Sequence, residues 1–301
     1  MTSGECLADD IALMLSIYLN VVVQGVLTGL VYGLMALGLS VIFGVVRVVN
    51  FAHGEFAVVA MYATHVIFQA FGLDPLFALI PIAAAFFGIG YVLQAALINP
   101  FVNRAEHEQF ILLVGLAIIM VNALLMIFGP DARPTNLSYG FDSFLVGSVI
   151  VDKARLYAAA AALIVAVALF GFFRFTRIGT AIRACADNLV GAAVVGLNVK
   201  RLYALTFGLG LACVGAAGAL MVTIADASPH LAQAYTLLAF TIVIIGGLGS
   251  MPGALIGGVL IGVSEALAGF LVAPSMKSMF SFGLLILVLV LRPQGLLGRR
   301  A

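Results

Sequence analysis

The chain has 301 residues, of which 64% are hydrophobic and 9% charged, with a formal net charge of +1. Soluble domains carry about 25% charged residues, so this chain has too little polar surface to face water, and lipid is the solvent that suits it. The near-zero net charge argues against a nucleic-acid partner, and three scattered cysteines, Cys6, Cys185 and Cys213, argue against a disulfide framework or a zinc site.

The first ten residues hold Glu5, Asp9 and Asp10 and no Lys or Arg, whereas a secretory signal opens on positive charge. Cys6 precedes the apolar run, a poor position for lipidation, so the first helix is expected to be a retained anchor. Segments long enough to span fall at 11–36, 37–70, 76–98, 109–128, 154–174, 202–224, 234–248, 252–272 and 276–292. The expected fold is an all-α integral membrane protein, a polytopic bundle of about eight to ten transmembrane segments. One domain covers 1–301, and 234–248 is short enough to be a half-span. The 37–70 stretch is too long for one straight helix and reads as broken, with a polar cluster between Gly44 and Gly54.

Glycines recur at four-residue spacing at Gly25, Gly29 and Gly33, then at Gly253 and Gly257, and at Gly258 and Gly262. Between helices in lipid, association depends on close backbone approach at small residues. Two readings are open: packing inside this chain, or a stripe that meets a second subunit.

The densest polar cluster of the N-terminal half is Arg47-Val-Val-Asn50-Phe-Ala-His53-Gly-Glu55. Ionisable groups at membrane depth are costly and mark function. On a continuous helix Arg47 and Glu55 would share a face. If the helix breaks near Gly54, its free N–H groups could meet a substrate carboxylate. The alternative is an interfacial turn in which Arg47 and Glu55 neutralise each other. His65 reads as structural, and His107 and His230 fall in loops; no two of these histidines have metal-ligand spacing.

The 129–153 stretch, with Asp131, Asp142 and Asp152 and the turn signals Gly129-Pro130 and Pro134, reads as the main outer loop. The 174–201 segment carries Arg174, Arg177, Arg183, Lys200 and Arg201 against Asp187, and the tail carries Arg292, Arg299 and Arg300. The positive-inside rule makes both cytoplasmic. Within the segment, Thr180–Ala186 suits a helix, and Asp187 or Asn188 can cap a second one, Leu189–Val195, ending at Gly196. This pair either lies on lipid or docks a cytoplasmic partner. The run Gly246-Gly247-Leu-Gly249-Ser-Met-Pro252-Gly253 joins two apolar helices as a tight turn rather than a phosphate cradle. Glu265, isolated in the 252–272 span, either lines a polar cavity or is hydrated near the outer interface, the second being favoured. GxSxG and HExxH are absent, and none of Lys153, Lys200 and Lys277 follows a Gly as a Walker A lysine does. The chain is therefore not expected to be an enzyme, and any ATPase is a separate polypeptide.

Taken in order, Gly29-Leu-Val-Tyr-Gly-Leu-Met-Ala-Leu-Gly38, Ile42 to Glu55, Thr176-Arg-Ile-Gly-Thr-Ala-Ile-Arg-Ala184, Asp187, Gly191–Gly196, Gly246 to Ala254 and Arg292-Pro-Gln-Gly-Leu-Leu-Gly298 resemble one family. It is the smaller permease subunit of the ATP-binding-cassette importers for branched-chain amino acids. The resemblance implies a bacterial plasma-membrane subunit that pairs with a second homologous permease, two cytoplasmic ATPases that use ATP and Mg, and an external solute-binding protein. This chain itself is expected to bind no cofactor or metal. The family's ATPase-docking loop maps onto Thr176–Gly196, here Arg177, Gly179, Arg183, Asp187, Gly191 and Gly196. Arg47, Asn50, His53, Glu55 and Glu265 are the candidates for the solute path. The family also includes importers of urea, short amides and aromatic acids. A self-contained secondary transporter or channel is the competing class.

Overall fold

The computed structural model describes residues 3–102, 104–147 and 149–298, with side chains described from residue 14 onward except at 106 and 146. Readings drawn from the side chains of Glu5, Cys6, Asp9 and Asp10, and from Arg299 and Arg300, fall outside what is described. The helices are α1 (Ser3–Val46), α2 (His53–Phe71), α3 (Pro75–Val92), α4 (Glu106–Phe128), α5 (Lys153–Phe175), α6 (Arg177–Asp187), α7 (Leu189–Val194), α8 (Val199–Met221), α9 (Leu231–Gly246), α10 (Met251–Leu271) and α11 (Lys277–Leu291). Among the described residues, eight helical stretches are long and apolar enough to cross a membrane, and α9 is a shorter apolar helix. The all-α polytopic membrane bundle is thus the observed fold.

Two boundaries differ from the sequence reading. The expected junction at 36/37 does not exist: α1 runs through it to Val46, and Gly38 serves close contact with Gly210 of α8 rather than a turn. His107 is not in a loop but in the first turn of α4. The 129–153 stretch also contains the one sheet of the described residues. Here β1 (Ser143–Val146) pairs antiparallel with β2 (Val149–Asp152), Ser143 opposite Asp152. The hairpin is tied to α1 through Gln24 Nε2, which donates to the Ile150 carbonyl at 3.2 Å.

The glycine stripes explain the core. A Cβ on Gly29 would lie 2.6 Å from the Gly258 carbonyl oxygen, and one on Gly25 2.8 Å from Val263 Cα. Gly258 and Gly262 in turn abut Gly33, Gly29 and Gly25. The α1 and α10 stripes therefore meet each other, and the packing is inside the chain. The second α10 stripe faces α9, with Gly257 against the Ile242 carbonyl and Gly253 against Gly246. Near-contact of backbones at small residues maximises dispersion and replaces the hydrophobic drive that lipid removes. On its other side α1 meets α8, where Gly38 sits against Gly210. Helices α1 and α8 are accordingly the buried centre, whereas α4 and α11 show most of their surface outward.

Cross-chain contacts sort the loops into two ends. At one end Gly44 touches Gly249, Asn99 Nδ2 donates to the Lys200 carbonyl, and the tail docks on the Gly-rich turn. There Leu296 and Leu297 donate their N–H groups to the Ile245 and Gly246 carbonyls at 2.8 and 3.0 Å, capping α9. At the other end Tyr139 donates to Asp74 at 2.9 Å, His65 meets Thr135 at 3.1 Å, and Arg133 and Ala227 form a bridge. Of the twelve described Lys and Arg residues, eight (Arg47, Arg104, Arg174, Arg177, Arg183, Lys200, Arg201 and Arg292) lie at the first end.

Candidate functional site

The chain breaks after Val46, not at Gly54. Arg47 carries φ 57°, the sole non-glycine positive φ among the described residues, and this left-handed residue ends α1. Residues 47–52 then turn back beside α1. The buried His53 ring meets the Met35 carbonyl at 2.9 Å, and Met35 lies eleven residues before Val46. At 1.5 Å per residue that is roughly 16 Å of helix. Helix α2 thus begins inside the bundle, well away from the loop end at which α1 stops. This is a broken-helix element of the kind found where backbone is buried in protein at membrane depth.

The break separates Arg47 from Glu55. Arg47 is exposed and Glu55 is buried in the first turn of α2, so they do not share a face, and no ion pair joins them among the described residues. The interfacial-turn reading fails for that reason. The start of α2 finds several of its partners within the chain, although Asn50 Nδ2 and His53 Nδ1 are buried without one. Asn50 Oδ1 accepts from the Ala52 N–H at 3.1 Å. Thr236 Oγ1 accepts from the Gly54 N–H at 2.8 Å and donates to Glu55 Oε2 at 2.8 Å. A carboxylate at the positive end of a helix is favourable, so Glu55 occupies the place once reserved for a substrate anion. Gly54 is required by proximity, since a Cβ there would strike Ala232 and Thr236 of α9. Phe51 completes the junction, its ring 4.7 Å from Phe110 on α4 and 5.1 Å from Phe240 on α9, centroid to centroid. Thr236, Phe110 and Phe240 were not singled out from sequence, because a threonine or phenylalanine inside an apolar helix carries no distinguishing pattern, and Phe51 was overshadowed by the polar residues around it.

Glu265 lies elsewhere, on α10, half-buried and accepting from Ser281 Oγ of α11 at 3.2 Å. Tyr235, adjacent to Thr236 on α9, and Tyr32 on α1 lie within electrostatic range of it.

The 174–201 segment folds as two short helices. Thr176 caps α6, its hydroxyl accepting from Gly179 N–H at 2.9 Å. Asn188, rather than Asp187, caps α7 by accepting from Gly191 N–H at 2.8 Å. Gly179 lets α6 fold tightly against the end of α5, Gly191 lies beneath the Asn188 side chain, and Gly196 takes φ 86° to leave α7. Leu189, Val190, Val194 and Val195 are exposed, as are Arg177 and Arg183. Cys185 of α6 is buried, which pushes its thiol pKa up and leaves it unreactive. In the Gly-rich run, Gly247 and Gly249 have positive φ, and Pro252 falls in the first turn of α10 behind the Ser250 cap.

A polytopic helical bundle with a broken helix and a cation-rich helical platform at one end defines a membrane permease. The family described as "Branched-chain amino acid transport system / permease component" matches residues 21–289, and the chain belongs to this family. It is 33% identical to the high-affinity branched-chain amino acid transport system permease protein LivH of Salmonella typhimurium, over 94% of this chain and 96% of that one. It is 31% identical to the corresponding protein BraD of Pseudomonas aeruginosa over the same shares. It is 26% identical to LivM of Salmonella typhimurium, another permease protein of that system, over 89% of this chain and 68% of that one. No solved structure matches.

Proposed function

We propose that this chain is a permease subunit of an ATP-driven importer of branched-chain or related hydrophobic amino acids, lining the path together with a second, homologous permease. Membership of the permease family over residues 21–289 carries the reading, and the relatives named for branched-chain amino acid transport supply the solute class. The likeness to both LivH and LivM supports a paired, homologous permease. Hydrolysis falls to separate ATPases, because no Gly-Lys-Ser/Thr motif exists in the chain. The cation-rich end is the cytoplasmic one, which puts α6, α7 and the C-terminal tail inside the cell and an external solute-binding protein at the hairpin end. On the cytoplasmic side the exposed valines of α7 with Arg177 and Arg183 offer an apolar patch beside positive charge to an ATPase subunit. Asn50, His53 and Glu55 brace the broken helix beside the solute path, with Arg47 ending α1 below it. The test is reconstitution in liposomes with the partner subunits. ATP-dependent uptake of leucine-like amino acids is expected, reduced in Glu55→Gln and Arg47→Ala variants that still insert. Robust uptake by this chain alone, driven by an ion gradient, overturns the reading.

A further inference from the structure

At the hairpin end of the molecule a groove of about 340 Å³ is lined by His65, Val66, Gln69 and Ala70 of α2, Phe128 of α4 and Arg133 of the outer loop. Arg133 is held there at both ends. Its backbone exchanges two hydrogen bonds with Ala227, at 2.8 and 3.1 Å. Its Nη2 donates to the Phe128 carbonyl at 2.8 Å, closing the end of α4. A guanidinium has five N–H donors, so this cap leaves most of them unused. Asp131 and Asp226 are its nearest acids in sequence to either strand of the bridge, yet among the described residues no carboxylate lies within 4 Å of Arg133. His65 and Gln69 share a face of α2. The His65 Nδ1 meets Thr135 Oγ1 at 3.1 Å, which leaves Nε2 open, and the Gln69 amide is exposed. Beneath them Tyr62 stacks on Phe128, centroids 4.4 Å apart, and its buried hydroxyl has no partner. The groove thus combines one positioned cation, two neutral polar groups and an apolar floor.

We propose that Arg133, with His65 and Gln69, forms an outer subsite for the carboxylate of the amino-acid solute, whose apolar side chain lies on Val66, Ala70 and Phe128. The planar fork of a guanidinium matches a carboxylate with two parallel hydrogen bonds. The volume falls at the small end of the range of about 300–1,000 Å³ for ligand pockets, which suits a compact solute. A phospholipid phosphate offers Arg133 the same chemistry. The solute is the occupant because the groove runs along α2, whose buried start braces the path, and opens at the end from which an imported solute comes. The assignment rests on the amino-acid import reading and specifies which end of the solute is received first.

The experiment uses the assembled permease and ATPase subunits in phospholipid nanodiscs. Phenylglyoxal labelling of Arg133, read by peptide mass spectrometry, should be slowed severalfold by leucine and by isovalerate and unchanged by isoamylammonium. Equal effects of isovalerate and isoamylammonium overturn the subsite. So does labelling that ignores all three probes but slows when phospholipid is added to the complex in detergent, which assigns the groove to a lipid phosphate. In the complete reconstituted importer, Arg133→Gln, whose amide can still reach the Phe128 carbonyl, should lower leucine uptake at least tenfold, and Arg133→Lys should retain an intermediate rate. Arg133→Gln uptake within twofold of wild type overturns the subsite, and if that variant does not insert, the labelling decides. Absence of ATP-dependent leucine uptake by the wild-type importer counts against the import reading, and the isovalerate arm still tests the carboxylate site.

Discussion

Thr236 on α9 donates to Glu55 on α2 across 2.8 Å while accepting from the Gly54 N–H, so a single hydroxyl joins the start of one buried helix to the second turn of another. Removing it leaves a buried donor and a carboxylate oxygen short of a partner, at about 1–3 kcal/mol for an unsatisfied group. Thr236→Val, which keeps the shape, should lower the thermal unfolding temperature of the purified protein, and Thr236→Ser should restore most of the loss. Equal stability of Thr236→Val and wild type would show that the α2 start finds another partner.

The meeting of α1 and α10 makes a sharper demand on single atoms. A Cβ at Gly258 falls on the backbone of Gly33, whereas one at Gly283 meets nothing within 4 Å. Gly258→Ala should therefore destabilise the bundle by about 1–3 kcal/mol through overpacking. Gly283→Ala should be neutral or slightly stabilising, since alanine favours the helix. Parallel thermal denaturation of the two variants in one detergent makes the comparison.

These two junctions also show what was legible in the sequence. The glycine spacing announced close helix contact, because only absent side chains permit it, but spacing alone does not name the partner helix. The polar run at 47–55 announced a break. Its position was hidden because an arginine, not a glycine, takes the left-handed conformation at 47. Asp187 and Asn188 are equally good caps on paper, and only the fold selects Asn188. The hairpin had a readable signal, two apolar runs separated by two residues beginning with Gly147, which the apolar composition around it obscured. The hydrogen bond of Glu265 with Ser281 joins two separate helices and has no local pattern.

The choice of cap has a measurable consequence. Asn188 satisfies the Gly191 N–H, an orphan donor at the start of a helix of six residues. Asn188→Ala should cost about 1 kcal/mol locally, and because α7 is too short to persist alone, the effect should appear as local fraying. Hydrogen exchange over 189–194 should accelerate several-fold while the amides of α8 stay protected. Asn188→Asp should keep the cap and the slow exchange.

Gly191 is a poor probe of docking, because its Cβ position presses on the Asn188 cap, so any bulky replacement confounds folding with binding. Val190 and Val194 separate the two. They are 73% and 81% exposed, four residues apart on one face of α7, with no role in holding the helix in place. In water two such valines are a small apolar patch, and burial against a partner stabilises the complex by about 1.5–3 kcal/mol for each side chain fully covered. Val190→Asp combined with Val194→Asp should therefore leave insertion and thermal stability unchanged. It should weaken co-purification with the ATPase at least tenfold and abolish coupled uptake, since the proposed contact must carry a rigid-body push. An ATPase that co-purifies equally with the double variant would place the coupling surface away from α7, with the other face of α6 at Arg177 and Arg183 the next to be altered.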